Sequence, residues 1–242
     1  RPKAQIFCFN SDFFRRTKIE EMQRASHALG YRLCLWGSSA MSVQTIKSLL
    51  QHDSNATPQK IGFLLLDDFS MLAFASAIEP LRAANRQSNS DLYGWVIASP
   101  TGKPAVASNG VEVASDGDAA VLQDCRMVFV CAGLNVREHT DRNVLNLVRR
   151  LDRNGAVIGA ICTGTYVMAA AGLLDDRRCT IHWENIDGLG EEFPELEITN
   201  DLFEVDGTRV TCSGGTASLD MMLNLIAQSH GAALAAEVSD QF

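Results

Sequence analysis

Residues 155–164 form a run of small and apolar residues, GAVIGAICTG, that admits few folds. Residues 157–161 carry no polar side chain, which predicts a strand buried on both faces of a parallel sheet. A helix of small residues is predicted to begin at Thr163, with almost no intervening loop. Cys162 therefore stands at a sharp strand-to-helix turn, the kind that presents one side chain above the end of a sheet.

The same alternation of strand and helix continues on both sides of this turn. Strands are predicted from apolar runs at 61–66, 95–98, 127–131, 157–161 and 210–212, with a short hairpin arm at 110–113. Helices are predicted from the spacing of apolar residues at 71–85, 141–153, 163–174, 218–229 and 232–238. This order predicts an α/β sandwich: a mostly parallel, flavodoxin-like sheet with helices on both faces.

Charge is unevenly distributed along the 242 residues, whose net charge is −8. Residues 1–58 contain 8 Lys and Arg against 4 Asp and Glu, whereas residues 59–242 contain 13 against 25. An acidic surface repels phosphate backbones, so residues 59–242 are poorly suited to bind DNA. No apolar run approaches the roughly 20 residues that a membrane helix needs, so no membrane contact is expected.

Cysteine usage indicates the cellular compartment. The 7 cysteines are odd in number, lie mostly in apolar runs and include no Cys-x-x-Cys pair. This pattern favours a reducing cytoplasm over a disulfide scaffold or a zinc site. No secretion leader is recognisable at the start of the chain. We therefore expect a cytoplasmic protein with no metal.

Residues 1–58 form an N-terminal extension of a different character. Their apolar pattern is compatible with two further β-α units, but Ser54, Asn55 and Ala56 form a tripeptide often left at cloning junctions. The extension is therefore either additional structure or partly a cloning product, and residues 59–242 are expected to be the main domain.

Cys162 is a candidate reactive thiol, because a helix N-terminus stabilises a thiolate and lowers its pKa. The alternative is that Cys162 is simply a small buried apolar residue. His182 follows 20 residues later, and a helix with a return strand would bring it back toward Cys162. Taken alone, a histidine at that place is more often a core or surface residue.

Several motifs carry a family resemblance. GAICTG at 159–164, AAAGLL at 169–174, TIHW at 180–183 and TCSGGTA at 211–217 together resemble the PfpI-like branch of the class I glutamine-amidotransferase-like superfamily. SAIEPLRAAN at 76–85 and GGTASLDMM at 214–222 are similar to the sensor domain of GlxA-type, AraC-family transcriptional regulators. The nearest similarity is to regulators that respond to glycine betaine and related quaternary amines. It covers residues 59–242 and not residues 1–53.

The resemblance implies a ligand-sensing domain with a small-molecule inducer and no cofactor. It also implies a homodimer, and DNA contact only through a two-part helix-turn-helix module expected after residue 242 and absent from this chain. In the superfamily's enzymes an acidic residue early in the first helix tunes the cysteine. Ala73 aligns with that position and cannot transfer a proton. A non-enzymatic role is therefore expected.

The ligand pocket is expected over Cys162. Backbone amides at Gly133, at Cys162 and Thr163, and in the loop 213–216 at a helix start are suited to hold a carboxylate. His182 and Thr216 are also expected to contact the ligand. One glycine is enough to let a backbone amide approach a ligand closely. A zwitterion such as a betaine would satisfy these amides with one end.

The other end of such a ligand needs a cation site. Trp183, beside His182, and Trp95 are candidates for an aromatic face against a quaternary ammonium, although both tryptophans could equally be core residues. Glu79 is a further candidate ligand-binding residue. Its carboxylate could instead pair with an arginine one helical turn away, a purely structural role.

Two other hypotheses use the same residues differently. A PfpI-like enzyme of the glyoxalase or deglycase, hydratase or amidase type would use Cys162 as nucleophile and His182 as base. A redox sensor would instead have Cys162 oxidised by peroxide ahead of the other thiols.

Overall fold

The computed structural model describes residues 58–242, and the predictions for the preceding segment lie outside the described residues. A six-stranded sheet in the order β2-β1-β5-β6-β10-β9 forms the centre. Neighbouring strands are parallel except β9 and β10, which are antiparallel. The strands of this sheet are β1 (Gln59–Leu65), β2 (Tyr93–Ala98), β5 (Met127–Cys131), β6 (Val157–Ile161), β9 (Phe203–Asp206) and β10 (Arg209–Cys212).

Two small two-stranded sheets lie outside the central one. They pair β3 (Ala105–Val106) with β4 (Glu112–Val113), and β7 (Arg178–Cys179) with β8 (Glu197–Ile198). The helices are α1 (Met71–Ser88), α2 (Arg142–Arg153), α3 (Gly164–Ala170), α4 (Ile186–Glu192), α5 (Ala217–His230) and α6 (Ala232–Ser239), with 3₁₀ turns at Ala119–Leu122 and Trp183–Asn185.

The core has two layers because alternate residues of a strand point to opposite faces of the sheet. In β1, Ile61, Phe63 and Leu65 pack with α1, α5 and α6, whereas Leu64 packs with α2, α3 and α4 on the other face. Strands β5 and β6 are buried along their whole length. The predicted sandwich, with a mostly parallel sheet between two helical layers, is confirmed.

Some elements differ from the sequence predictions. The helix predicted to reach residue 174 ends at Ala170, because Gly172 adopts a left-handed backbone with φ of 68° that no helix continues through. The antiparallel edge strand β9 and helix α4 were not predicted. Strand β9 was missed because its acidic side chains suggest a solvated loop, whereas Glu204 is buried and its Oε1 accepts a 2.9 Å hydrogen bond from Arg178.

None of the helices within residues 58–242 is both long and apolar enough to cross a bilayer. Within the same residues, no group of three or more His, Cys, Asp or Glu side chains is arranged to hold a metal ion.

Candidate functional site

The strand-to-helix turn lies where the sequence predicts it, between β6 and α3. Cys162 has φ of 60°, a left-handed conformation that is uncommon for a residue with a side chain. Its N–H donates a 3.0 Å hydrogen bond to the carbonyl oxygen of Cys212, which fixes the strained residue against β10. The turn needs a glycine at 164, because a Cβ there would lie 2.1 Å from the carbonyl oxygen of Val130.

The Cys162 thiol is buried, with only 6% of the residue exposed. Burial raises the pKa of Cys162 to about 11, and the Thr163 backbone N–H lowers this pKa only in part. Cys212 and the Glu184 carboxylate raise the pKa further. The prediction of a lowered pKa at the helix N-terminus is therefore wrong, because the cost of desolvating a thiolate exceeds the stabilisation from backbone amides.

Two more thiols lie beside Cys162. Cys131 and Cys212 end the flanking strands β5 and β10, and both are paired in register with Ile161. The Sγ of Cys212 accepts a 3.3 Å hydrogen bond from the Gly214 N–H. Gly214 has φ of 89°, and a Cβ on it would lie 2.7 Å from the Cβ of Cys162. Only glycine therefore fits between the thiols and the loop above them.

This environment predicts an unreactive thiol. Because only the thiolate is nucleophilic, we expect iodoacetamide to alkylate Cys162 in the folded protein at pH 7.5 roughly a hundredfold more slowly than an unshielded cysteine. Mass spectrometry of the peptide that contains residue 162 measures this rate, with the same protein in urea as the control. Equal rates in the two conditions would contradict the buried, protonated thiol and favour the nucleophile and redox hypotheses.

A cavity of about 620 Å³ opens next to Gly214, at the carboxyl end of the sheet. Of the predicted ligand-binding residues, His182, Trp183 and Thr216 line it. Thr216 precedes α5, and Trp183 begins the 3₁₀ turn before α4. The remaining described lining residues are Leu72, Thr180, Ile181, Ile186, Asn200, Asp201, Leu202, Ser213, Gly214, Gly215, Ala217 and Asp220.

A second cavity of about 440 Å³ adjoins the first and shares Ile181 with it. Gly133 lines this smaller cavity rather than the larger one. Thr163 is buried, and its Oγ1 donates a 2.7 Å hydrogen bond to the carbonyl oxygen of Gly133. The Thr163 side chain thus ties α3 to the loop after β5, and neither Cys162 nor Thr163 is among the residues lining either cavity.

Two predicted contributors lie away from these cavities. Glu79 pairs with Arg82 at 2.6 Å, one turn along α1, and it lines neither cavity. Trp95 lies on β2 and packs against the apolar core on the α1 side of the sheet. The geometry therefore matches the structural alternative for both residues.

The residues expected to form a catalytic pair are not joined. No hydrogen bond links the Cys162 thiol to His182 within the described part of the chain, and the His182 Nδ1 lies 3.8 Å from an oxygen of Glu184. Ala73 is fully buried in the same apolar cluster as Cys162. Its N–H donates to the Ser70 side chain, which caps α1.

Two acidic residues of the larger cavity were not recognised as site residues from the sequence. Asp201 lies in the loop before β9, a strand that the sequence did not predict. Asp220 lies in the first turn of α5, where a carboxylate is expected simply because it interacts favourably with the helix dipole. Only the fold brings both to the wall that contains Trp183. The two leucines at this cavity, Leu72 and Leu202, could not be recognised as cavity residues from the sequence, because single exposed apolar residues are common.

A strained cysteine turn at the end of a buried parallel strand, in a sheet covered on both faces, defines the class I glutamine-amidotransferase-like fold. Within that class, the chain belongs to the DJ-1/PfpI family, whose model matches residues 59–228. The predicted family resemblance is confirmed.

Similar proteins are transcriptional regulators. The HTH-type transcriptional regulator CdhR of Pseudomonas aeruginosa is 50% identical over 184 residues, covering 76% of this chain and 54% of CdhR. The HTH-type transcriptional regulator GlxA of Rhizobium meliloti is 43% identical over 185 residues, covering 76% of this chain and 57% of GlxA. A crystal structure of an AraC family transcriptional regulator from Pseudomonas putida superposes with a TM-score of 0.69 at 28% identity, covering 76% of this chain and 99% of that one.

The chain thus spans about half the length of the curated relatives that it matches. The similarity to GlxA supports the predicted likeness to GlxA-type sensor domains. The family also includes an enzyme, because an isonitrile hydratase of Pseudomonas putida is 29% identical over 134 residues.

Proposed function

We propose that residues 59–242 form the small-molecule-sensing domain of an AraC-family transcriptional regulator. The inducer is an amino-acid-derived or quaternary-amine metabolite that binds in the larger cavity, beside the turn that contains Cys162. The observation that carries this proposal is an open cavity of about 620 Å³ at the carboxyl end of a parallel sheet. This is the place where open α/β sheets bind ligands.

The state of the cysteine supports a sensor rather than an enzyme. A nucleophile needs a lowered pKa or an adjacent base, whereas burial raises the pKa of Cys162 to about 11. Ala73 stands where the superfamily's enzymes carry an acid, and it is part of the apolar core. The enzyme alternative, with Cys162 as nucleophile and His182 as base, draws its support from the strained φ of 60° at Cys162.

A thermal-shift screen tests the sensor proposal. We expect a selective rise in Tm with one member of a panel of betaines, carnitine, dimethylglycine, arginine and related nitrogen metabolites. A ligand present at 100 times its Kd adds about 2.7 kcal/mol to the free energy of unfolding. For a domain of this size that corresponds to a rise of roughly 5–10 °C. No shift with any metabolite would count against the proposal.

The variant Cys162→Ala separates the sensor from the enzyme. We expect the ligand to raise the Tm of the variant as much as that of the wild type, because binding to the cavity walls needs no thiol. Turnover of a glyoxal, isonitrile or amide by the wild type, lost in Cys162→Ala, would instead establish the enzyme.

The charge of this domain indicates which part of the regulator contacts DNA. Residues 59–242 carry 13 Lys and Arg against 25 Asp and Glu, so they repel DNA. DNA contact therefore belongs to a separate helix-turn-helix module, as the names of the relatives suggest. The working protein is a cytoplasmic homodimer whose inducer changes its effect on transcription.

A further inference from the structure

Three helices on one side of the sheet share an exposed surface. Helices α2, α3 and α4 all pack against the core layer that contains Leu64. The Arg149 Nε of α2 donates a 2.9 Å hydrogen bond to the carbonyl oxygen of Ala171, at the end of α3. The Tyr166 hydroxyl of α3 donates a 2.8 Å hydrogen bond to a carboxylate oxygen of Glu192, at the end of α4. Because α3 contacts both neighbours, we name the surface that the three helices present the α2–α4 face.

Helix α2 supplies the basic part of this face. Four of its 12 residues are arginines and one is an aspartate. Asp152 is held by Arg209 at 2.8 Å. Arg142, Arg150 and Arg153 are exposed, and within residues 58–242 none of these three forms an ion pair. Their spacing of eight and three residues places them on one side of the helix.

The helix dipole explains only part of this arginine pattern. Arg150 and Arg153 lie in the last turn of α2, where a cation interacts favourably with the dipole. Arg142 is the first residue of the helix, where a cation is unfavourable. An exposed arginine at that end therefore indicates a role outside the helix itself.

Helix α4 and the residues beside it supply the acidic part. Residues 184–197 contain six Asp and Glu, all exposed, and no Lys or Arg. In the described part of the chain, neither Glu191 nor Glu195 takes part in an ion pair. Glu192 pairs with Arg137, which precedes α2, at 2.6 Å. The basic and acidic parts of the face thus already meet once within a single chain.

Partly buried apolar side chains belong to the same face. Leu145 of α2, Tyr166 of α3 and Phe193, which follows α4, pack on the core and keep part of their surface exposed. The Arg137 guanidinium lies 5.5 Å from the centroid of the Tyr166 ring. An aromatic and apolar centre with arginines and a charged rim is the composition of a protein–protein interface.

We infer that the α2–α4 face joins two copies of this chain, with α2 of one copy against α4 of the other. Both signs of charge lie on one face, so the face is complementary to itself under a two-fold rotation. A polyanion would match only α2, and a basic partner would match only α4. This inference rests on the homodimer of the proposed function and names its contact surface.

Charge reversal on each helix tests this pairing. The double variant Arg142→Glu with Arg150→Glu makes α2 acidic, and Glu191→Arg with Glu195→Arg makes the end of α4 basic. In either variant alone, both contacts of the two-fold dimer join like charges. Sedimentation equilibrium of the 242-residue chain measures the Kd of self-association. We expect a wild-type Kd of about 10 µM or tighter, and a rise of at least about tenfold in each variant.

An equimolar mixture of the two reversed variants is expected to restore the dimer. One contact of the mixed dimer then joins two reversed helices, and the other joins two unaltered helices, so both join opposite charges. The Kd of the mixture should lie within about threefold of the wild-type value. Recovery of the dimer would also show that both variants are folded.

A matched control separates the contact surface from net charge. The double variant Arg86→Glu with Lys103→Glu changes the net charge by as much as the α2 variant does. Both residues are exposed, and Arg86 lies on α1, on the other side of the sheet. This control should dimerise like the wild type. The milder variant Arg142→Gln with Arg150→Gln, which removes the charges without reversing them, should raise the Kd by a smaller factor and tests the same surface if the reversed α2 does not fold.

The outcomes distinguish this inference from ligand sensing. A wild-type chain that stays monomeric at about 100 µM, or an unchanged Kd in both reversed variants, would overturn the interface. Variants that weaken the dimer separately and do not recover on mixing would show that α2 does not face α4. None of the four reversed residues lines either cavity. Each of these results therefore leaves the sensing proposal intact, and only the thermal-shift screen decides that proposal.

Discussion

Replacing Gly164 by valine is expected to destabilise the domain by about 3–5 kcal/mol. A Cβ at this position would lie 2.1 Å from the carbonyl oxygen of Val130 and 3.0 Å from its carbonyl carbon. Both are backbone atoms of β5, which is held on both sides by the parallel strands β1 and β6, so neither can move aside. Helix α3 would have to shift away from the sheet and carry the Cys162 turn with it.

Urea unfolding monitored by circular dichroism measures this loss, and alanine at 164 should cause most of it because the clash arises at Cβ. Gly188→Ala is the control. Gly188 lies inside α4, and nothing lies within 4 Å of the position that its Cβ would take. That change should stabilise the domain by up to about 1 kcal/mol. A free energy of unfolding for Gly164→Ala within 1 kcal/mol of wild type, a small change on the scale of core substitutions, would contradict the close approach.

The sequence was sufficient to predict the elements whose patterns are local. Strand β6 and the turn at Cys162 follow from an apolar run that ends among small residues, and their bounds agree with the structure. Likewise β5 is bounded as predicted, and the predicted helix at 232–238 differs from α6 by one residue at its end. Such segments need no information from distant parts of the chain.

The parts that the sequence did not reveal depend on tertiary contacts. The pKa of Cys162 is set by how completely the surrounding layers exclude water, which no spacing pattern encodes. Glu79 and Trp95 are residue types suited to a ligand site. In the structure, however, Glu79 pairs with Arg82 along α1 and Trp95 packs against the core from β2, so neither lines a cavity. Conversely, Asp201 reaches the cavity only because the unpredicted strand β9 follows it.

A second large effect is expected at alkaline pH. Burial raises the pKa of Cys125, Cys162 and Cys179 to about 11 each, and that of Tyr93 to about 12. The pKa of Cys131 is raised as well. In the unfolded chain these thiols ionise near pH 8.5–9, so ionisation favours unfolding. Their contribution to stability is complete below about pH 8.5 and is lost as the pH rises toward the folded-state pKa.

Each such thiol reduces the free energy of unfolding by up to about 1.4 kcal/mol per pH unit across this interval. Three of them together approach the whole stability of a typical domain, 5–15 kcal/mol, so we expect cooperative unfolding at or before roughly pH 11. Urea titrations at half-unit steps from pH 8 to 11, with a phosphine reductant to prevent oxidation, measure the slope.

The variant Cys162→Ala measures how much of the pH dependence of the free energy of unfolding comes from the thiol at the turn. The variant removes one titrating thiol, so its stability should fall less steeply between pH 9 and 11, by up to about 1.4 kcal/mol per pH unit. Cys125→Ala serves as the matched control, because the pKa of Cys125 is raised to the same value by burial but its side chain packs in the other core layer. Equal reductions in the two variants would show that Cys162 behaves as a core thiol, as its burial predicts. A reduction in Cys125→Ala alone would mean that Cys162 ionises in the folded state, and it would restore the nucleophile to consideration.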